Sequence, residues 1–131
     1  MEVGAWKIIL TSLTACTSHF FQMTDKIVVL STCANDADAA RVARALVEAR
    51  LAACVSVAPG IRSYYHWQDK LETSDEVLLI IKTSRELFPQ LKLEIEKIHP
   101  YEVPELLALP VIEGAENYLN WMGANLREAS E

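Results

Sequence analysis

The sequence is short of positive charge. Twelve Lys and Arg stand against eighteen Asp and Glu, giving a formal net charge of −6 at pH 7. The basic residues are scattered, so the footprint that binds a phosphate backbone is missing and nucleic acid is excluded as a partner. Only four glycines are present, and they are dispersed. That leaves no P-loop and no G-x-G-x-x-G cradle. No G-x-S-x-G surrounds Ser31, Thr32 or Ser84, which argues against a serine hydrolase. The three cysteines, Cys16, Cys33 and Cys54, include no C-x-x-C pair. An odd, widely spaced set is not a disulfide framework, and a reducing compartment is the simpler reading. No apolar run is long enough to span a bilayer. Ala5 to Phe21 comes nearest, but it carries Lys7 and is broken by Thr11, Ser12, Thr14, Thr17, Ser18 and His19.

What is present is apolar mass. Of 131 residues, 51% are hydrophobic, enough to build the core of one domain. The N-terminal stretch has three readings: a weak signal peptide, a segment too polar to span a membrane, or an extension upstream of a natural start at Met23. Met23-Thr24-Asp25-Lys26 runs straight into a strand, which favours the third. Residues 1–22 are expected to add little to the fold, and the domain is expected to occupy 23–131.

Ile27 to Thr32 is a β-branched run with the character of a buried strand. Asn35 or Asp36 can cap a helix carrying Ala39, Val42, Ala43, Leu46 and Val47 at helical spacing. A strand pattern returns over Leu51 to Val57, bends or bulges at Pro59-Gly60, and continues from Ile61 to Trp67. Gln68-Asp69-Lys70 is the expected turn into a strand from Leu71 to Thr83. Thr83 or Ser84 is expected to cap a helix over Arg85 to Ile98, with Pro89 in its first turn and Pro100 closing it. A strand over Glu105 to Pro110 and a last helix bearing Tyr118, Trp121, Met122 and Leu126 complete the chain.

This order predicts an α+β fold: a ferredoxin-like βαββαβ sandwich with a long β-hairpin and an extra C-terminal helix. Such a sheet keeps one face free of helices. The hairpin tip, with Tyr64, Tyr65 and Trp67, is a poor surface for a monomer, so an oligomer is expected.

Three residues carry candidate chemistry. His99 stands at a helix end, as a metal ligand, a proton carrier or a cation favouring the helix dipole. Glu105, after Pro104, is a possible ligand or an ordinary surface carboxylate. Six extended residues span roughly 20 Å. His99 and Glu105 therefore share a site only if the prolines fold the segment between them or a second subunit supplies one partner. Cys33 follows the first strand, and a thiolate beside an imidazole suits copper or zinc; the alternative is an inert thiol. His66 sits in the aromatic hairpin, where packing is its default role.

The run from Lys26 to Arg127 resembles the CutA family, the divalent-cation-tolerance proteins. The likeness rests on Leu51-Ala52-Ala53-Cys54-Val55, on Pro59 through Trp67, on Ile81-Lys82-Thr83, on Tyr118-Leu119-Asn120-Trp121, and above all on His99-Pro100-Tyr101-Glu102-Val103-Pro104-Glu105-Leu106. The resemblance implies a tight homotrimer similar to PII signalling proteins, a cytoplasmic location and an association with copper or another divalent metal. By that resemblance His99 and Glu105 match metal-linked positions. The family's third ligand, a cysteine on the first strand, falls at Ser31, and Cys33 lies one strand period beyond it. Tyr64, Tyr65, Trp67, Lys82 and Tyr101 are the expected residues of the cleft and interface.

Two functions follow. The first is a trimeric divalent-metal (copper) binding protein acting in cation tolerance. The second is a PII-like signalling or scaffolding module that binds a small ligand or a protein partner at clefts between subunits. A weaker third, a small hydrolase or isomerase using His99 and Glu105 as an acid–base pair, needs both groups within hydrogen-bond reach of one pocket. No enzyme activity is expected.

Overall fold

The structure, a computed structural model, describes residues 24–129. The expected N-terminal extension, residues 1–22, lies outside the described residues. In chain order the elements are β1 (Lys26–Cys33), α1 (Asp36–Glu48), β2 (Cys54–Trp67), β3 (Lys70–Ser84), α2 (Phe88–Ile98), β4 (Leu107–Pro110) and α3 (Glu116–Ala124). The sheet runs β2-β3-β1-β4, with each neighbouring pair antiparallel. This is the ferredoxin-like topology.

Local chemistry explains the helix boundaries. Asn35 caps α1 by accepting the backbone N–H of Asp38 over 2.8 Å, and Asp36 and Asp38 favour the positive end of the helix. After α1 the chain turns through Arg50 at φ 56, while the N–H groups of Leu51 and Ala52 return to the Leu46 carbonyl. Leu51 to Ala53 is therefore a connection, and β2 starts at Cys54 rather than Leu51. The second helix also starts later than expected. A 3₁₀ turn over Arg85–Leu87 precedes α2, and the N-cap position of that turn, Ser84, makes no side-chain cap bond. Thr83 is otherwise engaged: its hydroxyl donates to the Leu51 carbonyl over 2.6 Å, tying β3 to the α1–β2 connection.

The two sheet faces differ. On β1 the residues Ile27, Val29, Ser31 and Cys33 pair with Thr83, Ile81, Leu79 and Val77 of β3, and all are buried. The apolar members of this set join Ala39, Val42 and Leu46 of α1 and Leu91 and Ile95 of α2 in one core. The opposite face carries Val28, Leu30, Leu78 and Ile80, only half-buried, with Leu107 and Leu109 of β4 at 57% and 48% exposure. As expected for this fold, no described helix covers it.

The expected break at Pro59-Gly60 is a β-bulge. Ala58 pairs with Leu78 and Ile61 with Glu76, so β2 holds one residue more than β3. Gly60 takes φ 85 there, a value that L side chains rarely adopt. The extra residue inverts the parity of β2. Beyond it the odd residues Ser63, Tyr65 and Trp67 pair with Ser74, Glu72 and Lys70, on the face shared by Leu78 and Ile80. The hairpin closes on two residues, Gln68 and Asp69, at φ 52 and 64, the positive angles of a type I′ turn.

Strand β4 is shorter than the expected Glu105–Pro110. Its pairing with β1 stops at Leu107 opposite Leu30. Continued by two residues, that register would set Glu105 opposite Thr32. The Thr32 carbonyl is instead taken by the His99 ring.

Candidate functional site

The end of β1, the turn after α2 and the outer half of the β2–β3 hairpin meet at one edge of the uncovered sheet face. His99, the residue after α2, is 7% exposed. Its Nε2 lies 2.7 Å from the Thr32 carbonyl oxygen and 3.6 Å from Cys33 Sγ. Its Nδ1 lies 3.0 Å from the backbone nitrogen of Tyr101. A backbone N–H can only donate and a carbonyl can only accept. Nδ1 is therefore the acceptor, Nε2 carries the proton, and the ring is neutral. The Tyr101 ring packs against the imidazole, with centroids 4.8 Å apart, and its hydroxyl donates to Glu76 Oε2 over 2.8 Å.

Beside this network lies a groove of about 450 Å³. Tyr65, Trp67 and Tyr101 supply aromatic walls, and Thr32 and Val103 to Glu105 supply the rest with Glu72, Glu76 and Glu102. Four glutamates thus line it, and among the described residues no Lys or Arg does. The bulge at Gly60 is what turns Tyr65 and Trp67 to this side. Burial is the main cause that raises the Tyr101 hydroxyl well above its ordinary range, followed by the hydrogen bond to Glu76. The Cys33 thiol is pushed up to about 11, mainly by burial and then by the charge of Asp38, with Arg41 acting in the opposite direction. It is a protonated, fully buried thiol at neutral pH.

The three expected metal-linked residues do not form one ligand set. Cys33 and His99 come together, but Glu105 is exposed in the groove. Among the described residues no group of three or more His, Cys, Asp and Glu side chains is arranged to hold a metal ion. The chemistry of the pair agrees. A metal on His99 Nε2 would have to displace a proton already bonded to Thr32, and Cys33 resists giving up its own. Cys33 and His99 therefore do not fit a resident metal. Ser31, where the resemblance leads one to expect a cysteine, faces the helix-side core with 0% exposure.

The expected cleft residues divide. Tyr65, Trp67 and Tyr101 line the groove. Tyr64 is 66% exposed on the other side of the hairpin. Lys82 lies further along the uncovered face, its ammonium on Ser56 Oγ at 2.5 Å. Sequence reasoning missed Glu72 and Glu76. Their signal was present in the parity of β3, where residues 72, 76, 78 and 80 share a face.

Comparison with known proteins places the chain among divalent-ion-tolerance proteins. The family model described as CutA1 divalent ion tolerance protein matches residues 27–125. A divalent-cation tolerance protein CutA of Thermus thermophilus is 47% identical over 98 residues, covering 75% of this chain and 95% of that one. The crystal structure of CutA1 from Oryza sativa matches with a TM-score of 0.79 at 40% identity, covering 82% of this chain and 98% of that one. A protein of Archaeoglobus fulgidus described as the periplasmic divalent cation tolerance protein CutA matches with a TM-score of 0.76 at 31% identity, covering 78% and 99%.

Proposed function

The chain belongs to the CutA1 family of divalent ion tolerance proteins, and from that premise we propose that it is a homotrimer that binds divalent cations, copper among them, at the glutamate-lined groove. The observation that carries this reading is the composition of that groove, with Glu72, Glu76, Glu102 and Glu105 around it and no basic side chain among its described lining residues. Oxygen donors that do not converge suit a cation held by one or two carboxylates with water completing its shell. For such a donor set the affinity order among first-row divalent ions favours Cu²⁺. The trimer is supported by the uncovered apolar sheet face, where Leu107 and Leu109 stand open. Free thiols at Cys33 and Cys54 support a reducing cytoplasm, although the Archaeoglobus fulgidus neighbour is described as periplasmic. No described helix is long and apolar enough to cross a membrane.

We read the protein as a binding protein rather than an enzyme. Cys33 is held as a thiol, and both ring nitrogens of His99 are committed, so neither offers a nucleophile or a base. The test is calorimetry with Cu²⁺ on the wild-type protein and on the double variant Glu102→Gln, Glu105→Gln. A clear loss of affinity is expected; equal heats from both overturn the assignment to the groove.

The second reading, a PII-like module that binds a small ligand or a partner, draws on Tyr65, Trp67 and Tyr101 in the same groove. Native mass spectrometry of the freshly purified protein separates the two. A retained organic molecule that protects Trp67 from fluorescence quenching favours the module.

A further inference from the structure

We infer that His99 is not a metal ligand but a neutral hydrogen-bonding pin, which takes the place of a β4 residue at Thr32, ends the strand, and so holds Tyr101 and Glu105 at the groove.

Three observations on separate segments converge on this. The β1–β4 register stops at Leu30 opposite Leu107, two residues short of setting Glu105 against Thr32. The Thr32 carbonyl is filled by His99 Nε2–H over 2.7 Å. A buried carbonyl needs one donor, and an imidazole supplies it here instead of the next residue of β4. Chain freed from the ladder can turn away at Pro104, and Glu105 is exposed in the groove. On its other side the ring accepts the Tyr101 N–H, which fixes the backbone that aims Tyr101 at Glu76.

The two backbone bonds determine the tautomer without reference to any cation. A ligand at Nε2 would need the proton moved to Nδ1, where the Tyr101 N–H already points. Protonating both nitrogens meets the same obstacle. His99 is thus a positioning residue for the groove, and its effect on any ligand there passes through Tyr101 and Glu105.

The first experiment is ¹⁵N NMR of the histidine rings in the intact wild-type protein at neutral pH, before and after adding Zn²⁺ as a diamagnetic divalent ion. The expected result is a neutral Nε2–H ring at His99, unchanged by Zn²⁺. An Nδ1–H ring, or an Nε2 resonance that moves as a coordinated nitrogen when Zn²⁺ is added, overturns the inference. This readout needs no cation to bind, so its failure is separate from failure of the proposed function.

The second experiment rests on that function and compares His99→Ala with His99→Gln in Cu²⁺ calorimetry. Gln can still offer an N–H toward Thr32. Losing an outer-shell partner costs about tenfold in affinity or more. His99→Ala is expected to show about that loss, whereas His99→Gln stays within about threefold of wild type. Equal behaviour of the two variants, whether both weakened or both unchanged, overturns the positioning role.

Discussion

Tyr101 donates its hydroxyl proton to Glu76 Oε2 over 2.8 Å, joining the turn after α2 to the hairpin strand β3. Glu76 is 9% exposed, so this bond is a main compensation for its lost hydration. Tyr101→Phe keeps the ring and removes only the donor. A buried carboxylate left without its partner costs about 1–3 kcal/mol. Guanidinium unfolding at fixed subunit concentration should show a lower midpoint with an unchanged slope. An unchanged midpoint would mean that water replaces the tyrosine at no cost.

The Cys33 thiol gives a prediction at alkaline pH. Its folded value is raised from the ordinary 9.0 to about 11. A raised value contributes stability that is fully present below pH 9 and is lost as pH climbs from there through the folded value. Each tenfold difference in proton affinity between the folded and unfolded thiol is worth about 1.4 kcal/mol, so the loss reaches about 2–3 kcal/mol by pH 11. Tyr101, raised in the same direction from its ordinary 10.0, adds to the decline from about pH 10 upward. Cys33→Ala isolates the thiol: whatever its offset at pH 8, its stability should fall less steeply than that of wild type between pH 9 and 11. Parallel curves would refute the burial argument.

Ser31 is wholly buried on the helix-facing side of β1, and its Oγ has no hydrogen-bond partner among the described residues. Most buried hydroxyls have one. Ser31→Ala removes an unmatched polar atom at little loss of volume and should stabilise the protein by up to about 1 kcal/mol. The midpoint of chemical unfolding measures it. A destabilised variant would show that the hydroxyl is satisfied.

Much of this architecture was legible because local signals and tertiary context agree. Asn35 was a candidate cap and caps α1, and the bulge foreseen at Pro59-Gly60 is present at Gly60. The site was harder to read, because its geometry depends on relations that no local pattern encodes. That His99 reaches the Thr32 carbonyl, 67 positions away, follows from the way α2 docks against β1. The contribution of Glu76 required knowing that β3 stays in register past the point where β2 bulges. Thr83 was misread for a related reason: a threonine beside a helix start resembles a cap, but its partner is the distant Leu51 carbonyl. Cys33 Sγ and His99 Nε2 do lie 3.6 Å apart, yet residue types do not reveal which lone pairs are already committed.

The uncovered sheet face gives the last prediction. Ile80 lies on it between Leu30 of β1 and Ser56 of β2, half-buried in the single chain. If the proposed trimer packs through this face, Ile80 is buried on assembly, and a charge there must be desolvated without a partner. Ile80→Glu should leave the helix-facing core intact, since Leu79 and Ile81 point to that side and Ile80 does not. Light scattering behind a sizing column should give the mass of three chains for wild type and one for the variant, with unchanged far-ultraviolet circular dichroism. A variant that stays trimeric would place the subunit contacts elsewhere, and a wild-type mass of one chain at micromolar concentration would refute the trimer itself.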